Sequence, residues 1–121
     1  MTVSEVAELE SVLGYQFRDP RWLVQALMHS SRIPERLADD PTESNEKLEF
    51  LGDAVLDLLV SEELVRAFPG WTEGQLSKSR ARLVNATALS QAAQRLDLGR
   101  HLRLGRGEEK TGGRLKPALL A

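Results

Sequence analysis

Along most of the chain apolar residues recur three, four and seven positions apart, and no stretch alternates strictly between apolar and polar, a pattern that predicts an all-α domain. Val6, Leu9, Val12 and Leu13 form one stripe of a first helix over 3–13, with Thr2 and Glu5 reading as a capping box and Gly14 as the stop. Asp19 and Pro20 read as cap and first position of a second helix carrying Trp22, Leu23, Ala26 and Leu27 and ending near His29. Residues 31–44 are polar, contain Pro34 and Pro41, and predict a loop with room for one helical turn. The longest helix is predicted over 45–68, capped by Ser44 and stopped by Pro69 and Gly70. Thr72 with Gln75 opens another helix to about Val84, and Asn85 caps one over 86–96. A short basic segment follows Gly99, then a glycine-rich connector over 105–113, then Pro117 at the start of a last helix. That helix is barely begun at Ala121, and Leu115, Ala118, Leu119 and Leu120 lack an evident partner, which reads as truncation.

Composition narrows the chemistry. The 121 residues suit one domain without internal repeats, and 41% apolar content is ordinary for a globular core of that size. With no cysteine, a metal would have to sit on carboxylates or on the two histidines, which favours a hard cation. Neither a signal segment nor an apolar run of about 20 residues is present, so the expected location is the cytoplasm, away from any membrane.

The net charge of -2 hides a sorted distribution: residues 1–73 hold 15 acids against 6 bases, and residues 74–121 hold 3 against 10. Sorting of this kind can place a cation-collecting surface beside a phosphate-collecting one, although solvated helix faces would produce it as well.

Glu46, Glu49 and Asp53 stand at i, i+3 and i+7, which puts them within roughly 60° of arc on the longest helix. Leu48, Leu51, Val55, Leu58 and Leu59 occupy a separate arc of roughly 100°, so the helix is expected to bury one face while displaying the acids on another. Like charges at this spacing repel by a few tenths of a kcal/mol per pair. Mg²⁺ would compensate, since it takes one or two carboxylates and keeps several waters. By spacing alone the commoner reading is a solvated acidic patch, favoured near a helix N-terminus by the macrodipole.

The string Asn45-Glu46-Lys47-Leu48-Glu49-Phe50-Leu51-Gly52-Asp53-Ala54-Val55-Leu56 changes that weighting, because it closely resembles the signature of the ribonuclease III family. The likeness continues through Leu13 to Phe17, Ala26 to Ser30, Phe68-Pro69, Glu73-Gly74, Gly105 to Glu108 and Lys110 to Gly113, and so spans essentially the whole chain. It implies the ribonuclease III helical bundle, a homodimer, and Mg²⁺-dependent cleavage of double-stranded RNA to 5′-phosphate and 3′-hydroxyl ends, with Mn²⁺ as a substitute metal. Glu49 and Asp53 match the acids of the family's metal site, Glu46 the acid beside them and Glu73 a further acid of the cleavage valley. Phe50 resembles the aromatic that enters a socket on the partner subunit.

The family completes its metal site with an Asp and a Glu early in the next helix, and these do not occur before Ala121, so this stretch alone is expected to cleave poorly. The family's usual double-stranded-RNA-binding domain is also absent from the 121 residues. Ser44 stands where a His often precedes the Asn, and Lys47, which lacks the planar fork of Arg, stands where Arg is usual.

His29-Ser30 has no third member at a recognisable spacing and is not read as a nucleophilic triad; His29 is at most an RNA contact. Lys78, Arg80, Arg82, Arg106 and Lys110 are candidate phosphate contacts, as are Arg100, Arg103 and Arg114, though any one of them is more often a solvated surface charge. The glycines near 105–113 form no phosphate-binding fingerprint. The competing reading is a non-catalytic relative that keeps the fold as an RNA-binding or assembly scaffold. A helical DNA-binding regulator is a third.

Overall fold

The computed structural model describes residues 1–35 and 43–121. Pro41 and most of the second half of the predicted 31–44 loop lie outside the described residues. Seven α-helices are present among them: α1 (Val3–Leu13), α2 (Pro20–Ala26), α3 (Glu46–Ala67), α4 (Glu73–Leu83), α5 (Ala86–Arg95), α6 (Arg106–Lys110) and α7 (Pro117–Leu120). Short 3₁₀ turns occupy Ser30–Glu35, Leu98–His101 and Gly113–Leu115. No strand forms among the described residues; one isolated parallel bridge joins Met28 to Arg103.

Local chemistry accounts for most of the helix starts. Thr2 and Glu5 close a reciprocal capping box on α1, Thr72 and Gln75 do the same for α4, and the Asn85 side chain accepts the Ala88 N–H at 2.8 Å. Asp19 accepts the Arg21 N–H ahead of Pro20, whose missing N–H costs nothing at a helix start. Gly14 ends α1 at φ +66°, a left-handed position that suits glycine. The two boxes satisfy donors that would otherwise go unpaired.

The core gathers where the chain's two ends meet. Leu9 of α1, Leu23 and Leu27 at α2, Ala93 of α5, Leu102, Leu104 and Leu120 of α7 form one buried cluster, with Val6, Phe17, Leu98 and Leu119 packed around it. Leu119 and Leu120 therefore do find a partner, because α7 lies against α5, while Leu115 stays exposed.

Four expectations are corrected. α2 ends at Ala26, short of His29, because residues 27–29 leave the helix to pair with Arg103: the Arg103 N–H donates to the Leu27 carbonyl at 2.8 Å and the His29 N–H to the Arg103 carbonyl at 3.0 Å. The 105–113 connector is structured as α6 and the turn that follows it; the Gly105 N–H donates to the Ser31 hydroxyl oxygen at 2.8 Å and the Arg106 N–H to the Glu35 carboxylate at 2.9 Å. Asn45, not Ser44, is the N-cap of α3, and the Ser44 hydroxyl stands 3.5 Å from the Glu46 nitrogen. Finally, the apolar arc of α3 is not buried: Leu51, Val55, Leu58 and Leu59 are 46–64% exposed. α3 packs along α4 and touches α2 at its start, and no described element covers the remaining side.

Candidate active site on the long helix

The first turn of α3 is anchored to the end of α2. The Asn45 N–H donates to the Met28 carbonyl at 2.8 Å, and the Asn45 side-chain amide donates to the Ala26 carbonyl at 3.1 Å. Asn45 thus spends its side chain on tertiary attachment, and its helix cap carries no side-chain hydrogen bond. The macrodipole of a 22-residue helix favours the acids Glu46 and Glu49 in that first turn.

Glu46, Glu49 and Asp53 are all exposed, as their common arc requires. None of the three forms an ion pair among the described residues; Lys47, the nearest base in sequence, reaches back to Glu43 at 3.8 Å. No cation among the described residues relieves their repulsion. Phe50 stands beside them with 83% of its surface exposed, far more than a core role allows. Next to this face lies a cavity of ≈ 300 Å³ bordered by Ala26, His29, Asn45, Leu48, Glu49 and the end of α7 at Leu119.

Glu73 is placed elsewhere. It begins α4, beyond the far end of α3, and accepts the Ser77 hydroxyl at 2.8 Å. Nineteen residues of helix rise separate Glu49 from Phe68, roughly 28 Å at about 1.5 Å each, so Glu73 cannot join Glu49 and Asp53 within one chain. Among the described residues no three His, Asp or Glu side chains converge tightly enough to enclose an ion. Two exposed carboxylates one turn apart nonetheless suit a cation that keeps most of its waters. Of the three acids, Glu49 and Asp53 stand one turn apart and could hold such a cation, with Glu46 beside them.

The basic candidates divide. Lys78 and Arg82 are exposed on one face of α4, whereas Arg80 turns to α3 and donates to the Ser61 hydroxyl at 2.9 Å. Arg106 is exposed and loosely paired with Glu35 at 3.7 Å, and Lys110 is exposed at the end of α6. Arg100 is paired with Glu8 and Asp97. Arg114 is committed to structure: one of its nitrogens donates to the carbonyls of Gly99, Arg100 and Leu102, and another to Glu109, whose carboxyl it holds below the ordinary range. Sequence reasoning missed this use of Arg114 and the roles of Ser31 and Glu35, because their partners lie 12 to 74 residues away and leave no local pattern.

Residues 19–121 match the family model for ribonuclease-III-like domains. The chain belongs to the ribonuclease III family. Relatives named Ribonuclease 3 from Desulforamulus reducens and Solibacter usitatus are each 50% identical to it, over 93% and 97% of this chain but 46% and 45% of their own lengths. It thus spans about half the length of these curated relatives. The nuclease domain of ribonuclease III from Campylobacter jejuni superposes with a TM-score of 0.84 at 43% identity, covering 95% of this chain and 76% of that one. That structure is reported to show flexibility in a region involved in dimer formation. A second structure of the same domain gives a TM-score of 0.82 at 42% identity. The all-helical architecture is therefore that of a ribonuclease III nuclease domain.

Proposed function

We propose that this domain is the catalytic part of an endoribonuclease that uses Mg²⁺, or Mn²⁺ in its place, to cleave double-stranded RNA to 5′-phosphate and 3′-hydroxyl ends in cytoplasmic rRNA and mRNA processing. The observation that carries the reading is the row Glu46, Glu49 and Asp53, exposed on one face of α3 without a cation from the described chain, in a member of this family. Glu49 and Asp53 would hold the ion. Bound there, it would supply Lewis-acid polarisation of a phosphodiester and a water acidified enough to attack.

The chain's own residues do the rest. Glu46 adds negative charge beside the pair, which strengthens attraction for a cation and orients bound water by accepting its hydrogen bonds. Lys78, Arg82, Arg106 and Lys110 contribute phosphate attraction, and A-form shape with its 2′-hydroxyls would select an RNA duplex over DNA. The exposed Leu51, Val55, Leu58 and Leu59 with Phe50 form the apolar surface that a second copy would cover, so the working unit is a homodimer. Glu73, remote from Glu49 in its own chain, would act at such a pairing or not at all.

The test is cleavage of a labelled RNA duplex in Mg²⁺ by the 121-residue chain and by the full gene product, with Asp53→Asn as control. Cleavage by the full product is expected, with a fall on the order of 100-fold or more in the control, the equivalent of several kcal/mol of lost charge stabilisation. The chain alone, with two metal-site acids, is expected to cleave far more slowly. A full product that binds the duplex without ever cutting it would sink the nuclease reading and favour the scaffold.

A further inference from the structure

Four arginines, Arg32, Arg100, Arg103 and Arg114, line a second cavity of ≈ 180 Å³, together with the buried His101 and a single acid, Glu5. No residue of α3 borders it, so it is separate from the row Glu46, Glu49 and Asp53. Its volume equals roughly six waters at about 30 Å³ each and falls below the ≈ 300 Å³ at which sites for organic ligands usually begin.

The guanidinium groups are fixed on one side and free on the other. Arg114 spends Nη1 on three carbonyls and Nε on Glu109. Arg100 spends Nη2 on Glu8 and Nε on Asp97, and Arg32 spends Nη1 on the Leu104 carbonyl at 3.3 Å. Each keeps a second terminal nitrogen with no partner among the described residues. Arg103 is pinned by its backbone to Leu27 and His29, and its half-buried guanidinium has no described partner at all. His101 is 7% exposed, and no described residue hydrogen-bonds its ring. No fully buried side-chain nitrogen among the described residues lacks a partner, so the His101 ring nitrogens reach open space in the cavity that the residue lines.

Within the lining four guanidinium groups face one carboxylate, and Glu5 is already engaged in its helix cap, where it accepts the Thr2 N–H at 2.7 Å. Glu8, Asp97 and Glu109 pair with Arg100 and Arg114 from outside the lining. The charges closest to an occupant are therefore positive, and a concave wall of one sign concentrates its field.

We infer that this cavity binds a phosphate group with three free oxygens, either a phosphate ion or the terminal monoester of an RNA strand. The planar fork of Arg matches phosphate oxygens and can donate to two of them at once. His101 adds one further donor. Because the forks are held by carbonyls and carboxylates before any ligand arrives, little ordering remains to be done on binding. A backbone phosphodiester carries a sugar on each side and is too bulky for a space of this size. The inference is independent of the metal site.

The test is titration of inorganic phosphate into the protein, at ionic strength held constant with chloride so that general screening does not change. Amide signals of residues 100–103 are expected to shift saturably, with a Kd of about 1 mM or tighter. Arg103→Gln is expected to weaken binding about 10-fold or more, the loss of a charged hydrogen-bonding partner. Arg18→Gln removes the same charge at an exposed position outside the cavity and is expected to change Kd by less than about 2-fold. Absence of a saturable shift, undiminished affinity in Arg103→Gln, or an equal loss in Arg18→Gln overturns the inference and leaves the nuclease reading standing. Competition, read from the phosphorus-31 linewidth of phosphate, separates the two sources. Displacement by a short RNA strand with a 5′-phosphate, and not by the same strand with only hydroxyl ends, supports the RNA terminus; displacement by neither supports the free ion. Equal displacement by both strands would show phosphodiesters entering the cavity and overturn the assignment.

Discussion

Residues 27–35 meet residues 98–116 in a joint whose polar groups find partners inside the chain, whereas α3 carries its apolar stripe into solvent. In the joint, Leu27, His29, Ser31, Arg32 and Glu35 exchange hydrogen bonds with residues 103–106, and Arg114 donates to the carbonyls of Gly99, Arg100 and Leu102. Along α3, Leu51, Val55, Leu58 and Leu59 stay about half exposed or more, and Leu64 alone is buried. Both segments are rich in leucine, so hydrophobicity does not separate them. The difference lies in whether the covering element belongs to the same chain. An amphipathic stripe demands burial against something, but its periodicity is silent about what that something is.

Removing the same methyl groups from each region should have very different effects. Leu104, 1% exposed at the joint, is expected to cost about 2–5 kcal/mol of unfolding free energy on replacement by Ala. Leu58→Ala on α3, at 64% exposure, should change the monomer's stability by no more than about 0.5 kcal/mol. Urea denaturation at low protein concentration measures both, and a large loss at Leu58 would show that the α3 face is already covered.

A smaller contrast comes from glycine. A Cβ on Gly105 would stand 2.3 Å from the Ser31 carbonyl oxygen and 2.5 Å from a Glu35 carboxylate oxygen, so Gly105→Ala should destabilise by about 1–3 kcal/mol as overpacking does. Gly52, inside α3, has nothing within 4 Å of that position, and Gly52→Ala should stabilise the monomer by about 0.5–1 kcal/mol. Thermal melts of the pair should move in opposite directions; a shared direction would remove the distinction between a crowded joint and an open helix.

The smallest effect concerns charge at the joint's edge. Arg114 holds the Glu109 carboxyl below its ordinary value of 4.5. A depressed folded pKa means the pair stabilises the fold above that ordinary value and loses its contribution as pH falls through the lowered one. Glu109→Gln should therefore be less stable than the parent near neutrality and converge with it in acid, which stability measured from pH 7 to pH 3 would show. A constant offset across that range would mean that Glu109 acts through packing alone.

These same regions show what could be read beforehand. Thr2 with Glu5 and Thr72 with Gln75 cap their helices as their three-residue spacing implies, because both partners lie in one turn. The acid row of α3 was legible for the same reason, since helical period alone sets which residues share a face. α6 was not legible: its start is held by Glu35, 71 residues from Arg106, and a segment holding several glycines reads as a connector when that partner is invisible. The early end of α2 likewise depends on Arg103, whose pairing with Leu27 and His29 outweighs the local helical pattern.

From sequence alone came the helical class, the helix caps and the alignment of Glu46, Glu49 and Asp53, all consequences of interactions within a turn or two of chain. Only the tertiary structure decided that Glu73 stands apart from them, that the His29 ring is tied through Nδ1 to Ser31, and that the leucines of α3 remain uncovered. Each depends on contacts between distant segments, whose closure is chosen by packing and by the pairing of buried polar groups rather than by local periodicity.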